Sequence, residues 1–131
     1  DCHPLTETFL KRNIDLNDLP SLPYLHGNWG DDDDTVARSG RPAVSGRFDL
    51  IMGSDVLYER DESGLLSGFI ARHAMPSAEV LIVDPNRGNR TAFNKRMADV
   101  GFTLEEINLN SEDSDGVRYK GRMLRYQRQS D

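Results

Sequence analysis

Residues 47–58 read RFDLIMGSDVLY. Phe48 to Gly53 is an apolar run broken only by Asp49, and such a run reads as a strand buried inside a sheet rather than a half-solvated one. It then stops in Gly53-Ser54-Asp55, with Tyr58 three residues further on. A buried strand that ends in a carboxylate and a phenol poses a question, because burial of polar groups is costly unless they serve a purpose or find partners.

Working outward, Leu65, Leu66, Phe69, Ile70 and His73 recur at helical spacing, and Met75-Pro76 is expected to close that helix. Residues 78–84, AEVLIVD, form a second continuous apolar strand rich in β-branched side chains, followed by a turn over Asp84, Pro85, Asn86, Arg87 and Gly88. Phe93, Met97 and Val100 mark one face of another helix, with Gly101 placed as its C-terminal cap. Two further strands are expected over 103–109 and 117–126, joined by the polar NSEDSDG.

Upstream, Pro4 suits a first helical turn, and Leu5, Phe9 and Leu10 give an apolar face running to Asn13. A turn-rich LNDLPSLP connects this helix to a short strand over residues 24–29. Residues 30–46, GDDDDTVARSGRPAVSG, read as a long surface loop whose four Asp residues are its solvated part; a metal site there lacks a convergent scaffold. Continuous strands alternating with helices indicate a Rossmann-like α/β fold, a mostly parallel sheet covered on both faces, with antiparallel C-terminal strands.

The composition narrows function. With 16 basic against 22 acidic side chains the net charge of -6 disfavours binding to a nucleic-acid backbone or an anionic membrane. The local basic cluster, Arg118, Lys120, Arg122, Arg125 and Arg128, has two readings: a charged outer face protecting a sheet edge, or a contact for RNA or an acidic peptide. A single Cys2 excludes an internal disulfide and suits a reducing cytoplasm, and no apolar run reaches the roughly 20 residues of a transmembrane helix. At 131 residues the chain is the size of one domain. It opens on Asp-Cys-His-Pro without an initiator Met, and its helical pattern begins at once, as expected of a fragment.

In an open α/β sheet, ligands sit at the carboxyl ends of the parallel strands. Polar groups gather at four such places: Asp1, Asn28-Trp29, Ser54-Asp55 with Tyr58, and Asp84 to Arg87. Each also has a purely structural reading. Asp1 suits a helix N-terminus, Trp29 a packed aromatic, and Asp55 a cap for a following helix that carries Tyr58. Gly53-Ser54-Asp55 lacks the glycine pattern of a nucleophile elbow, the three His residues lack metal-ligand spacing, and there is no Gly-rich phosphate loop.

DCHPLTETFLKRN, a strand ending in Asn28-Trp29, FDLIMGSDVLY, and VLIVDPNRG with a helix ending in GF together resemble the class I, seven-strand S-adenosylmethionine-dependent methyltransferases. Within these the chain is similar to the lysine-directed group that carries Asp-x-x-Tyr after the fourth strand, here Asp55 to Tyr58. The resemblance runs from Asp1 to about Tyr126 and implies methyl transfer to an amine nitrogen of a protein lysine or a small amine. It implies that Asp1 accepts hydrogen bonds from the ribose hydroxyls, that Asn28 and Trp29 contact the adenine, and that Ser54 lies beside the cofactor's methionine end. Asp55 and Tyr58 would then serve the acceptor. The family's first strand, glycine-rich loop and first helix lie upstream of the acid matched by Asp1. The chain (1–131) is thus expected to be the C-terminal portion of one such domain, to bind the cofactor weakly or not at all, and to have an exposed sheet edge open to self-association. Two other readings are a non-catalytic methyltransferase-like scaffold and a phosphoacceptor receiver domain, the latter weakened by the absence of a Lys after Asp84.

Overall fold

The computed structural model describes residues 1–129. The chain divides into two compact units, Asp1–Ser45 and the remainder from Gly46 onward.

In the first unit, α1 spans Thr6–Leu16. Ile14 is its buried residue, whereas Phe9, expected on the packed face, is 59% exposed. The strand expected over residues 24–29 does not form: His26 makes one isolated parallel bridge to Ala43. The bridge consists of His26 N–H to the Pro42 carbonyl and Val44 N–H to the His26 carbonyl, and Pro42 has no N–H with which to extend it. The expected loop over 30–46 contains a helix, α2, Asp33–Ser39. Its cause is local: the Asp32 carboxylate accepts the Thr35 N–H at 2.7 Å and the Thr35 hydroxyl at 2.6 Å. Asp33 and Asp34 lie in the positive first turn, and Gly40 ends the helix at φ 65°. The acidic run is therefore a helix start rather than a loop, with Asp32, Asp33 and Asp34 exposed as expected.

The second unit contains β1 (Phe48–Ser54), α3 (Leu65–His73), β2 (Ala74–Asp84), α4 (Arg90–Asp99), β3 (Thr103–Asn108), β4 (Ser111–Glu112), β5 (Arg118–Tyr119) and β6 (Arg122–Gln127). Four strands form one sheet in the order β1-β2-β6-β3, and β4 pairs with β5 separately. β1 and β2 are parallel, while β6 runs antiparallel to both β2 and β3, so the C-terminal strands are antiparallel as expected. The last strand region is split, β5 leaving the main sheet and β6 rejoining it.

On one face of this sheet Ala78, Val80, Ile82 and Asp84 of β2 and Leu124 and Tyr126 of β6 are buried, along with Phe93 and Met97 of α4. Phe93 meets Tyr126 edge to face at 5.5 Å, and the phenol donates to Asn94 Oδ1 at 2.5 Å. Burial, with Glu106 and Asp84 nearby, pushes the Tyr126 hydroxyl well above the usual phenol range. Gly53 is closely packed: a Cβ there would come within 3.1 Å of both Ile82 and Val56, and those side chains would have to give way by a few tenths of an ångström. Gly101, at φ 91°, ends α4 with the Phe102 N–H reaching back to the Met97 carbonyl, as its position suggested.

The other face departs from expectation. Leu50 is 49% and Met52 72% exposed, so the sheet is not covered on both sides at β1. The register between β1 and β2 jumps from Phe48↔Ala74 to Leu50↔Glu79, which loops out the stretch around Met75-Pro76. α3 accordingly ends at His73 and the chain passes straight into β2. Arg128 stabilises this loop by donating to the carbonyls of Ala74, Met75 and Pro76 at 2.9–3.2 Å, with its guanidinium 4.7 Å above the Phe102 ring.

The basic strand is corrected in the same way. β6 lies between β2 and β3, not at an edge, and its arginines are neutralised from both sides. Arg125 binds Glu79 at 2.9 Å and Glu105 at 3.3 Å, and Arg122 binds Glu106 at 2.7 Å.

Candidate functional site

β1 and β2 run in the same direction and end together, so their carboxyl ends present Ser54-Asp55 and Asp84 to Arg87 side by side. Ser54 closes β1 and is exposed. The Asp55 N–H still bonds the Val83 carbonyl at 2.8 Å, but its φ of 53° turns the backbone out of the sheet. Such a left-handed conformation is uncommon for any residue but glycine and is better tolerated by Asp and Asn than by most others.

The Asp55 carboxylate is held by Arg87: Nε donates to Oδ1 at 2.7 Å and Nη2 to Oδ2 at 2.6 Å. These hydrogen bonds keep the Asp55 carboxyl below the usual Asp range and push the Arg87 guanidinium up. Asp84, fully buried, receives the Arg87 N–H at 3.4 Å on one oxygen and has no hydrogen-bond partner on the other. Asn86, at φ 61°, reverses the chain, and Asn89 Nδ2 donates to the Leu57 carbonyl at 2.9 Å.

Residues 55–60 are irregular, so Tyr58 does not lie on a helix. It is 55% exposed, next to Leu57, which is buried. Nor does Asp55 cap a following helix. Asp61 takes that role for α3, accepting the Leu66 and Ser67 N–H groups at 3.1 Å and the Ser67 hydroxyl at 2.6 Å. Asp55 is thereby left without a structural duty in α3.

In the first unit the Asp1 carbonyl accepts the Gly27 N–H at 3.1 Å and the Tyr24 hydroxyl at 2.9 Å. That unit thus brings Asp1 against the peptide leading to Asn28 and Trp29. The Asp1 carboxylate accepts the His3 N–H at 3.0 Å, and Asn28 donates to Asp31 at 3.0 Å. Trp29 is half-buried. By residue type alone, a carboxylate suits a vicinal diol, an amide a purine edge and an indole a purine face. For the cofactor's methionine end the sequence supplies no glycine-rich loop, so the fit covers one half of that group.

Other places offer less. An open hollow of about 450 Å³ lined by Ser77, Ala78, Glu79, Gln127, Arg128 and Gln129 lies at the opposite end of β2 from Asp55. Its charged groups are already engaged, Glu79 by Arg125 and Gln127, and Arg128 by backbone carbonyls. Among the described residues no group of three or more His, Cys, Asp or Glu side chains is arranged to hold a metal, and no helix is long and apolar enough to cross a membrane.

Sequence reasoning put Arg87 at a candidate strand tip without giving it a role, and it did not single out Asn89. The DPNRG turn signals a strand tip, but nothing in its spacing points to partners 32 residues away.

Neither a protein-family model nor a curated protein matches the sequence. Solved structures do match. The chain is similar to precorrin-6y C5,15-methyltransferase from Geobacter metallireducens, at 10% identity over 99% of this chain and 65% of that one, with a TM-score of 0.65. It is similar to precorrin 8w decarboxylase from Methanobacterium thermoautotrophicum, at 15% identity over 97% and 66%, with a TM-score of 0.60. An O-methyltransferase family protein from Burkholderia thailandensis matches at 18% identity over 97% and 42%, also with a TM-score of 0.60. The chain spans less than two thirds, or close to it, of each of these proteins. The likeness at such identities is one of fold, a Rossmann-like α/β architecture.

Proposed function

We propose that this chain is the C-terminal portion of an S-adenosylmethionine-dependent methyltransferase acting on an amine nitrogen such as that of a protein lysine. The observation that carries this reading is Asp55, an ionised carboxylate at the shared tip of the parallel β1–β2 pair with Tyr58 three residues on and no capping duty in α3. The cofactor, when bound, supplies an electrophilic methyl group on a sulfonium. By the resemblance, Asp1 would accept hydrogen bonds from the ribose hydroxyls, Asn28 and Trp29 would hold the adenine, and Ser54 would hold the methionine end. Asp55 orients the acceptor amine and stabilises the positive charge that grows on its nitrogen, while Tyr58 packs along the alkyl stem. Alignment of nucleophile and methyl, rather than acid–base chemistry, supplies most of the rate. The acceptor is a protein or a small amine, in the cytoplasm.

The test is transfer of a labelled methyl group from S-adenosylmethionine to lysine-bearing proteins by the full-length protein containing this sequence. Label on a lysine nitrogen, lost in Asp55→Ala, is the expected result; label on oxygen would reject the amine acceptor. The alternative is a non-catalytic methyltransferase-like scaffold. Calorimetry separates the two, because a scaffold shows no saturable cofactor binding even in the full-length protein.

A further inference from the structure

We infer that Arg87 is a positioning residue for Asp55, holding the carboxylate in the orientation in which it meets the acceptor; this rests on the amine-methyltransferase reading above. The two side chains come from positions 32 residues apart and meet through both guanidinium prongs and both carboxylate oxygens, at 2.7 and 2.6 Å. That fork-to-fork contact fixes the plane of the carboxylate, which a single bond or a point charge does not.

Arg87 is itself fixed by its own turn. Its N–H is tied to the buried Asp84, Asn86 reverses the chain at φ 61°, and Asn89 pins the Leu57 carbonyl at 2.9 Å. The turn after β2 therefore grips the segment after β1 at two points, Asp55 and Leu57, on either side of Val56. Asp55 needs such support, since its own backbone is in a left-handed conformation and no helix follows it directly. Both members of the pair are partly exposed, with side-chain accessibilities of 49% for Arg87 and 41% for Asp55. Solvent screens the pair at this exposure, while its two-pronged geometry fixes the direction in which the carboxylate points.

The experiment compares Arg87→Gln, Arg87→Lys and Asp55→Ala in the full-length protein, reading kcat and KM for the acceptor and the titration of the Asp55 carboxyl by carbon NMR. Arg87→Gln is expected to lower kcat by about 10- to 100-fold with a smaller change in KM, as misaligned reactants do. In the same variant the Asp55 carboxyl returns upward to the ordinary Asp range. Arg87→Lys keeps the charge without the fork, so it leaves the Asp55 titration lowered yet restores little of kcat. Melting temperatures stay close to wild type in the two Arg87 variants. If Arg87→Gln keeps kcat within about twofold while Asp55→Ala loses it, or if the Asp55 titration does not move, the positioning role is overturned and the proposed function stands. If Asp55→Ala keeps the full rate, the acceptor role of Asp55 falls, and the positioning role falls with it.

Discussion

β1 and β2 look alike as sequence and differ as structure. FDLIMGS and AEVLIVD are both apolar runs, but β2 buries Ala78, Val80, Ile82 and Asp84 to 1% exposure or less, while β1 leaves Phe48 43%, Leu50 49% and Met52 72% exposed. The difference lies in face and position: the named β2 residues lie on the core face, whereas Leu50 and Met52 lie on the opposite one. β2 is hydrogen-bonded on both sides, to β1 and β6, whereas β1 is the edge of the described sheet with β2 as its one neighbour. An apolar strand tells what a residue would gain by burial, and the neighbours decide whether burial happens.

The largest expected effect tests this contrast in the core. Ile82→Ala should cost about 3 kcal/mol of folding stability through lost contacts and a residual cavity. Met52→Ala should change it by no more than about 0.5 kcal/mol. Equal losses in urea denaturation would show that β1 is covered in solution and the contrast false. Next comes the link out of β1. Asp61→Ala should cost about 1–2 kcal/mol by stranding two N–H groups at the start of α3, and Asp55→Ala should cost less because it caps nothing. A reversed order in thermal melts would return the capping role to Asp55.

The open edge can be probed by association rather than stability. The double substitution Leu50→Lys and Met52→Lys is expected to shift sedimentation toward the monomer without lowering the melting temperature, since charge on an edge strand discourages pairing between copies. An unchanged concentration dependence would rule out self-association through β1. The smallest effect sits on β2. Arg125, and then Gln127, hold the Glu79 carboxyl below its ordinary value of 4.5. Its stabilising contribution is therefore complete above about that pH and fades as pH falls through the lowered folded value. Glu79→Gln should be slightly less stable than wild type at neutral pH, and the gap should close on acidification. A gap that persists in acid would assign the effect to packing instead.

Several elements were legible in the residues themselves. The periodicity of Leu66 and Ile70 in α3, of Phe93 and Met97 in α4, and the β-branched run in β2 each state their own burial, and the structure agrees. Helix α2 was readable in principle from Asp32, Thr35 and Gly40, but the acidic run dominated the reading. The failure of the strand over 24–29 was harder to see, because it depends on which residue comes to lie opposite His26, and that residue's neighbour is a proline. The candidate site divides along the same line. Asp55 and Tyr58 stand out as a polar end to an apolar strand; Arg87 and Asn89 do not, because the contacts that matter lie across two strand tips.

Short-range patterns of apolarity and backbone freedom were enough to determine the alternation of strands and helices, the polar tip at Ser54 and Asp55, and the glycine at 101. Tertiary structure alone decided that β6 enters between β2 and β3, that Arg125 and Arg122 are spent on Glu79, Glu105 and Glu106, and that Arg87 grips Asp55. Those are facts of strand order and register, and the energy that sets them comes from contacts between residues far apart in the chain.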